Sequence, residues 1–279
     1  MTNVFPNPIE QFGDKGGEDA GDVLPDTTLW RYMDLSKFVN MVSTSTLFFC
    51  RSDRLGDQFE GTIPLFTREK NEQEKRETLK KLRGEENSPF GFKTFGDRLD
   101  ELEISKGRGR REKLRRRVFV NSWHANNYES AAMWKLYKSD VGIAIVSSVE
   151  KLSKAILLEP NASIDKIRYV DFEDEVELSK QDFNFPFLIK RISFAHEKEI
   201  RVIYKPQLNY SDLTDPKDFD LQERIEGFSF RVKLEELVSE IRVDPDSETW
   251  SYDTVRAILE KWNLNIPINR SNLGNDPIY

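Results

Sequence analysis

Short β-forming segments alternate irregularly with amphipathic helical segments along this 279-residue chain, and they cluster in its second half. The clearest of them is VGIAIVSS, at residues 141–148. A regular strand–helix alternation favours a parallel sheet, whereas an irregular order with clustered strands favours an α+β fold. We therefore predict a mixed, mainly antiparallel central sheet with flanking helices and a charged helical insertion.

Composition excludes several classes of protein. The net charge of −7 argues against broad nucleic-acid binding by the whole surface. The only cysteine, Cys50, cannot form an internal disulfide and fits a reducing compartment. No apolar run approaches the roughly 18 residues of a membrane span, and the N-terminus lacks a signal-peptide pattern. We expect a cytoplasmic protein without membrane contact, and its two histidines are too few for a His-rich metal centre, so no metal is predicted.

The charge pattern divides the chain into an arm, a domain and an insert. Residues 1–27 predict a loose arm, and residues 28–279 a single α+β domain. Within the domain, residues 68–117 are highly charged and predict an exposed helical insert. The insert ends in the basic run Lys106–Arg117, for which a solvated helix and a nucleic-acid contact are both open.

Two stretches combine aromatic and ionisable residues, as a pocket for a flat polar ligand requires. They are VNSWHANNYESAAMWKLY at residues 120–137 and SFAHEKEIRV at residues 193–202. The first contains Trp123, His124, Trp134 and Tyr137, and the aromatic pair at helical spacing is either core or ligand platform.

We interpret the second stretch as a single strand with three charged residues on one face. Alternation places Glu197, Glu199 and Arg201 together on that face. Two interpretations stay open: a catalytic glutamate with a second residue orienting it, or a buried ion-pair network that holds Arg31 or Arg201.

The turn RLGDQFEG places Asp57 and Glu60 close together in the sequence. One interpretation is purely structural, with Asp57 capping the turn. The other is a carboxylate pair that binds a cation or a basic ligand group.

The combination of these segments resembles domain-of-unknown-function family 2971. The resemblance rests on WRYM…LFFCRSDRLGDQFEG, NSWHANNYESAAMWKLY…GIAIVSS, RISFAHEKEIRV and VSEIRVDP…NRSNL, and it covers about residues 28–273. Gln58 stands where the family's turn usually has proline, while Asp57 and Glu60 match its acidic positions. The family has no settled activity; it is mostly microbial, and its members are often suspected of roles in phage defence.

A weaker likeness, in the order of elements, is to ADP-ribosyltransferases. Those enzymes hold NAD in a split mixed sheet, with an early His or Arg gripping the cofactor and a late glutamate supporting attack at the ribose. The likeness implies Arg31 at the early position, Ser52 at the middle one, and Glu197 or Glu199 at the late one. It implies catalysis by Glu199, Glu197 and His124. The implied NAD-binding residues are Arg31, Ser52, Trp123, Trp134, Tyr137 and Arg201.

Three functional hypotheses follow. The first is an NAD-cleaving or ADP-ribosyl-transferring enzyme of the defence or toxin type, in which a fixed carboxylate stabilises positive charge on the ribose. The second is a metal-dependent nuclease or phosphodiesterase that uses Asp57, Glu60 and Glu199. The third is a non-catalytic sensor or interaction domain whose polar residues form a buried network.

Overall fold

The central element of the fold is a large mixed sheet. The structure, a computed structural model, describes residues 23–83, 109, 113–137, 140–156, 161–174, 176, 184–206 and 225–275. Within these residues the strands are β1 (Thr28–Asp34), β2 (Thr46–Arg51), β3 (Phe119–Ala125), β4 (Gly142–Ser148), β5 (Ala162–Lys166), β6 (Arg168–Val170), β7 (Ile189–Arg191), β8 (Glu199–Tyr204), β9 (Gly227–Arg231), β10 (Glu240–Val243) and β11 (Ile268–Arg270).

Helices flank this sheet. They are α1 (Leu35–Thr44), α2 (Leu65–Arg83), α3 (Ala131–Leu136), α4 (Val149–Ile156), α5 (Phe185–Leu188), α6 (Leu234–Leu237) and α7 (Thr249–Lys261). Short 3₁₀ turns cover Ser52–Arg54, Ile192–Glu197 and Asn272–Gly274. In the described part of the chain, no helix combines the length and the apolar character needed to cross a bilayer.

The strand order confirms the predicted α+β class with a mixed, mainly antiparallel sheet. Seven strands follow the order β11-β10-β4-β1-β3-β2-β9, and β8 and β5 extend the sheet from β3. Every pair in this sheet is antiparallel except β10 with β11. Strands β6 and β7 form a separate parallel pair.

The sheet divides at β3. One edge of β3 pairs with β8 over residues 119–124. On its other edge, His124 and Ala125 are in register with β1, whereas Phe119 and Val120 are in register with β2. Among the described strands, residues 121–123 have no partner on that edge, so β1 and β2 diverge there and leave a gap that we call the fork.

Polar side chains take the place of backbone partners in the fork. The Nδ2 of Asn121 donates to the carbonyl of Phe48 at 2.8 Å, and the Nη1 of Arg31 donates to the carbonyl of Ser122 at 3.3 Å. Buried backbone carbonyls require such partners because an unpaired one costs the free energy of its lost hydration. The fork therefore brings Arg31 to the centre of the sheet.

Alternation along β1 assigns its side chains to two cores. Leu29 and Met33 belong to the main core, together with buried residues of α1, α4, α6 and α7. Trp30 and Tyr32 point the other way and pack with Met133 and Trp134 of α3 in a smaller cluster. Burial on both faces makes β1 a central strand that cannot shift its register without exposing one of these clusters.

Helix α1 follows directly from its sequence. Asp34 is the N-cap, and its carboxylate accepts from the backbone N–H of Lys37 at 2.8 Å. Phe38, Met41 and Val42, spaced by three and four residues, are the buried face. The helix ends at Ser45, which has a left-handed φ of 51°, and β2 begins at the next residue.

The predicted insert at residues 68–117 is anchored to the domain at both of its described ends. Thr67, at the start of α2, exchanges hydrogen bonds with the backbone of Val176 at 2.8 and 3.1 Å. Arg117 is buried, and Arg115 donates to the carbonyl of Gln58 at 3.2 Å. The last arginines of the basic run thus lead into β3 instead of projecting from the domain. Half of the run Lys106–Arg117 lies outside the described residues, as does the predicted arm at residues 1–27 as far as residue 22.

Candidate functional site

A cavity of about 1210 Å³ lies against the fork. Its wall takes residues from β1, β2 and β3, from the turn at residues 55–60, and from the segment at residues 190–201. Most of the residues singled out in the sequence meet on this wall: Arg31, Asp57, Glu60, Trp123, His124, Tyr137, Glu197, Glu199 and Arg201. Arg31 and Glu199 thus lie on one concave surface and not on opposite sides of the protein.

Ser52 and Trp134 are not on the cavity wall. Ser52 is fully buried, and its hydroxyl donates to the carbonyl of Arg115 at 2.5 Å. Trp134 packs edge-on against Tyr32 at 4.9 Å and donates from its indole N–H to Glu129 at 3.0 Å. Both side chains have structural partners, so the NAD contacts implied for them have no counterpart in this geometry.

The stretch at residues 193–202 is not a single strand. Residues Ile192–Glu197 form a 3₁₀ turn, Lys198 has a left-handed φ of 41°, and β8 starts only at Glu199. Glu197 therefore reaches the cavity from a turn, while Glu199 and Arg201 share one face of β8 as the alternation predicts.

Five charged residues of the cavity wall contact one another. We define this ion cluster as Glu60, Lys190, Glu197, Glu199 and Arg201. Arg201 is 1% exposed and binds Glu60 through two hydrogen bonds of 2.9 and 3.0 Å. Its Nε donates to Glu199 at 2.8 Å, and its Nη1 also donates to the carbonyl of Phe187 at 2.8 Å. The predicted network interpretation is thus realised for Arg201, with Glu60 as a partner from the distant turn.

Lys190 joins the carboxylates of the ion cluster. Its Nζ lies 2.5 Å from Glu197, 3.3 Å from Glu199 and 3.5 Å from Glu60. Burial alone would raise the pKa of Glu199, but Arg201 and Lys190 outweigh it and lower that pKa to about 2. Burial is likewise outweighed at Lys190, whose pKa is raised by the adjacent carboxylates.

Asp57 is held by a different arginine. Its carboxylate accepts from the backbone N–H of Phe59 at 3.0 Å and from Arg191 at 2.8 Å. The Arg191 guanidinium lies over the rings of Phe59, at 4.4 Å, and Phe194, at 5.3 Å. Asp57 and Glu60 are therefore each paired with an arginine and do not form a pair that faces a common ion.

Arg31 differs from the other cations of the wall. Its guanidinium lies 5.8 Å from the centre of the Trp123 ring and donates one hydrogen bond, to Ser122. Burial lowers the pKa of Arg31 to about 10, so the group is charged at neutral pH. Throughout the described ranges, no carboxylate forms an ion pair with it.

His124 is tied to the backbone of the 3₁₀ turn. Its Nδ1 lies 2.6 Å from the carbonyl of Glu197, which can only accept, so Nδ1 carries the proton. Burial lowers the pKa of His124, and the neutral ring leaves Nε2 as an acceptor that is buried without a partner among the described residues. This hydrogen bond ties His124 to the main chain at Glu197, and the catalytic role of His124 stays a prediction.

Tyr137 interacts electrostatically with Arg31 and with residues of the ion cluster. Burial raises its pKa; Glu197 and Glu199 raise it further, and Arg31 lowers it. The side chain is 42% exposed and lines the cavity at the end of α3. Arg31 and the ion cluster thus line the same cavity, with Tyr137 also on its wall.

Several wall residues were not identified from the sequence. Lys190 and Arg191 form the short strand β7 with Ile189, and Phe194 follows in the 3₁₀ turn. Two cations inside an apolar segment, FLIKRISF at residues 187–194, were the available signal. Their carboxylate partners lie in other parts of the chain, so the pairing itself could not be read from spacing.

The turn that presents Glu60 depends on Gly61, which gives a first prediction. Gly61 has a φ of 70°, and an added Cβ would lie 2.6 Å from the Phe187 ring. We expect Gly61→Ala to lower the free energy of unfolding by about 1–3 kcal/mol, since an L-residue is strained at this φ. Gly56→Ala in the same turn is the control, because a Cβ there meets nothing within 4 Å. Urea unfolding of both variants checks this, and equal stabilities would contradict it.

The described residues contain no group of three or more His, Cys, Asp or Glu side chains placed to hold a metal ion. Asp57, Glu60 and Glu199, the residues of the metal-dependent nuclease hypothesis, are each bound by an arginine. Comparisons of the chain with family models, with curated proteins and with solved structures gave no match. The function is therefore inferred from the geometry of the cavity.

Proposed function

We propose that the cavity binds a nucleotide through its phosphate groups, with NAD as the candidate, and that the chain is an NAD-cleaving or ADP-ribosyl-transferring enzyme. The observation that carries this proposal is Arg31, a charged and half-buried guanidinium on the cavity wall without an ion-pair partner among the described residues. The defence or toxin context belongs to the same proposal and depends on the family resemblance.

A half-buried guanidinium without a carboxylate partner favours an anionic ligand. A guanidinium carries five N–H donors in one plane. The described residues use one of the five donors of Arg31. Partial burial of a charge without a counter-charge is unfavourable. An anionic ligand that pairs with Arg31 removes this cost, which favours its binding. Phosphate groups bind a guanidinium through two parallel hydrogen bonds. A diphosphate therefore suits Arg31 as a ligand group.

The rest of the wall suits the flat parts of a dinucleotide. Tyr137 and Phe194 line the cavity and are accessible from it, and aromatic side chains stack on heterocyclic rings. Trp123, for which the sequence also predicts stacking, is 2% exposed and belongs to the main core. Small-molecule pockets typically have volumes of roughly 300–1000 Å³, so a cavity of about 1210 Å³ leaves room for a ligand of two nucleotides.

The proposed reaction requires a fixed carboxylate near the ribose. The bond between the nicotinamide nitrogen and ribose C1′ breaks, and its electron pair leaves with the neutral nicotinamide. Positive charge then develops on C1′ and the ring oxygen, where a carboxylate stabilises it. Water, or the hydroxyl of an acceptor, adds to C1′ and releases its proton to solvent, which gives ADP-ribose or an ADP-ribosylated product.

Arg31→Gln tests this proposal. We expect it to raise the Kd for NAD about 10- to 100-fold, as the loss of charge-assisted hydrogen bonds of about 1.5–3 kcal/mol predicts. Isothermal titration calorimetry measures binding, and chromatography of free nicotinamide measures cleavage. The control is Arg256→Gln, an exposed arginine of α7 that pairs with Asp253.

The outcomes separate the hypotheses. Binding and nicotinamide release by the wild type, both weakened in Arg31→Gln and not in the control, support the enzyme. Binding without release supports the sensor hypothesis and overturns the enzymatic part. If the wild type binds no NAD, the nucleotide proposal is wrong.

A further inference from the structure

Building on the proposed function, we propose that Glu197, and not Glu199, is the carboxylate that contacts the positively charged nicotinamide-ribose end of the ligand. The ligand class is a dinucleotide with a quaternary pyridinium group. Sequence order alone favours neither glutamate, and the distinction comes from the hydrogen bonds of the ion cluster.

The other two carboxylates of the ion cluster are fully engaged. Both oxygens of Glu60 accept from Arg201, at 2.9 and 3.0 Å. One oxygen of Glu199 accepts from Arg201 at 2.8 Å and the other from Lys190 at 3.3 Å. A carboxylate whose oxygens are already bound by cations has little further attraction for the cation of a ligand.

Glu197 has an oxygen left for a ligand. Its Oε2 accepts from Lys190 at 2.5 Å, while in the described residues nothing donates to Oε1. The side chain of Glu197 is 15% exposed, against 5% for Glu199 and 2% for Glu60. Glu197 is thus the carboxylate of the ion cluster that opens most to the cavity.

The charge balance of the ion cluster leaves a cation to be supplied. Three carboxylates face two cations, Lys190 and Arg201, so the cluster carries one net negative charge. Because Glu60 and Glu199 are saturated, the excess charge resides at Glu197. The same cavity carries the positive charge of Arg31, so its wall complements a ligand that has both an anionic and a cationic group.

Glu197 is also held in place, as a group that acts on a bound ligand must be. Its carbonyl accepts from His124 Nδ1 at 2.6 Å, and its side chain is bound by Lys190. Lys198 has a left-handed φ, and β8 begins at Glu199, whose side chain binds Arg201. The two glutamates therefore belong to different elements, although both contact Lys190.

Two ligands that differ in one charge test this assignment. Carbocyclic NAD keeps the pyridinium cation and resists cleavage, whereas ADP-ribose has the same diphosphate and no cation. We expect Glu197→Gln to weaken carbocyclic NAD about tenfold and to change the Kd of ADP-ribose less than about twofold. Arg31→Gln should weaken both ligands by similar factors. Glu150→Gln, an exposed glutamate of α4 paired with Lys154, is the matched control, and Glu197→Asp should give an intermediate loss of carbocyclic NAD.

The results distinguish this inference from the proposed function. If the wild type binds neither ligand, the nucleotide site and the assignment both fail. If both ligands bind and Glu197→Gln weakens them equally or not at all, the assignment is wrong while the nucleotide site stands. A selective loss of carbocyclic NAD in folded Glu199→Gln, checked by circular dichroism, would transfer the role to Glu199 and also overturn it.

Discussion

Replacing Arg201 with Met should lower the free energy of unfolding by about 3–5 kcal/mol, the cost typical of breaking a buried ion pair. The substitution keeps much of the apolar volume but removes the guanidinium that binds Glu60 and Glu199. Both carboxylates would remain almost fully buried, with Lys190 as the shared counter-charge, and the Phe187 carbonyl would lose a donor. Urea unfolding at neutral pH measures the change.

Two further variants show where this cost arises. Arg256→Met removes an arginine from an exposed i,i+3 pair and should change stability by less than about 0.5 kcal/mol. The triple variant Arg201→Met, Glu60→Gln and Glu199→Gln removes the stranded charges together with the arginine. It should recover part of the lost stability, because neutral replacement of a buried ion cluster is often tolerated. Arg201→Met within about 1 kcal/mol of the wild type would contradict the ion cluster as described.

Glu199→Gln should lower the free energy of unfolding by about 3 kcal/mol at pH 7, nearly as much as Arg201→Met. The pKa of Glu199 is lowered from 4.5 to about 2 in the folded protein, against the effect of burial, by Arg201 and Lys190. Each pKa unit corresponds to about 1.36 kcal/mol. Since the folded pKa is the lower one, the stabilisation is present above pH 4.5 and is lost as the pH falls through about 2.

The pH dependence identifies this contribution. The difference in stability between wild type and Glu199→Gln should be large at pH 7 and clearly smaller at pH 3, where the unfolded chain already protonates this glutamate. Glu197→Gln serves as the comparison, because Glu197 is more exposed and has one free oxygen. It should cost less than about 1 kcal/mol. Equal losses of unfolding free energy for the two variants, or a difference that does not change with pH, would contradict the stabilisation assigned to Glu199.

The fold class and several local elements were predictable because they depend on local patterns. The Asp34 cap follows from a polar residue before a helical repeat of apolar residues, of which Phe38 and Val42 are buried. Gly142–Ser148 form the central strand β4, as the composition of residues 141–148 indicates. The fork was not predictable, because pairing register depends on strands that are far apart in the sequence.

Side-chain alternation along a strand predicts part of the candidate site. Alternation correctly places Glu199 and Arg201 on one face because both lie in β8. It fails for Glu197 because the left-handed Lys198 ends the 3₁₀ turn there, and lysine gives no sequence signal for such a conformation. Lys190 and its contact with Glu60 were missed because that ion pair is formed only by tertiary packing.

The strand order also has a consequence for how the protein folds. Strand β1 pairs with β4, β3 with β8, and β2 with β9, so the cavity wall is closed by contacts between distant parts of the chain. Such non-local pairings require the entropy of long loops to be lost before their contacts form, which slows folding. Arg31 and the ion cluster come to line one cavity only when β8 has joined β3. The cavity is therefore a late product of folding, and ligand affinity would report on completion of the sheet instead of on the earlier formation of helices.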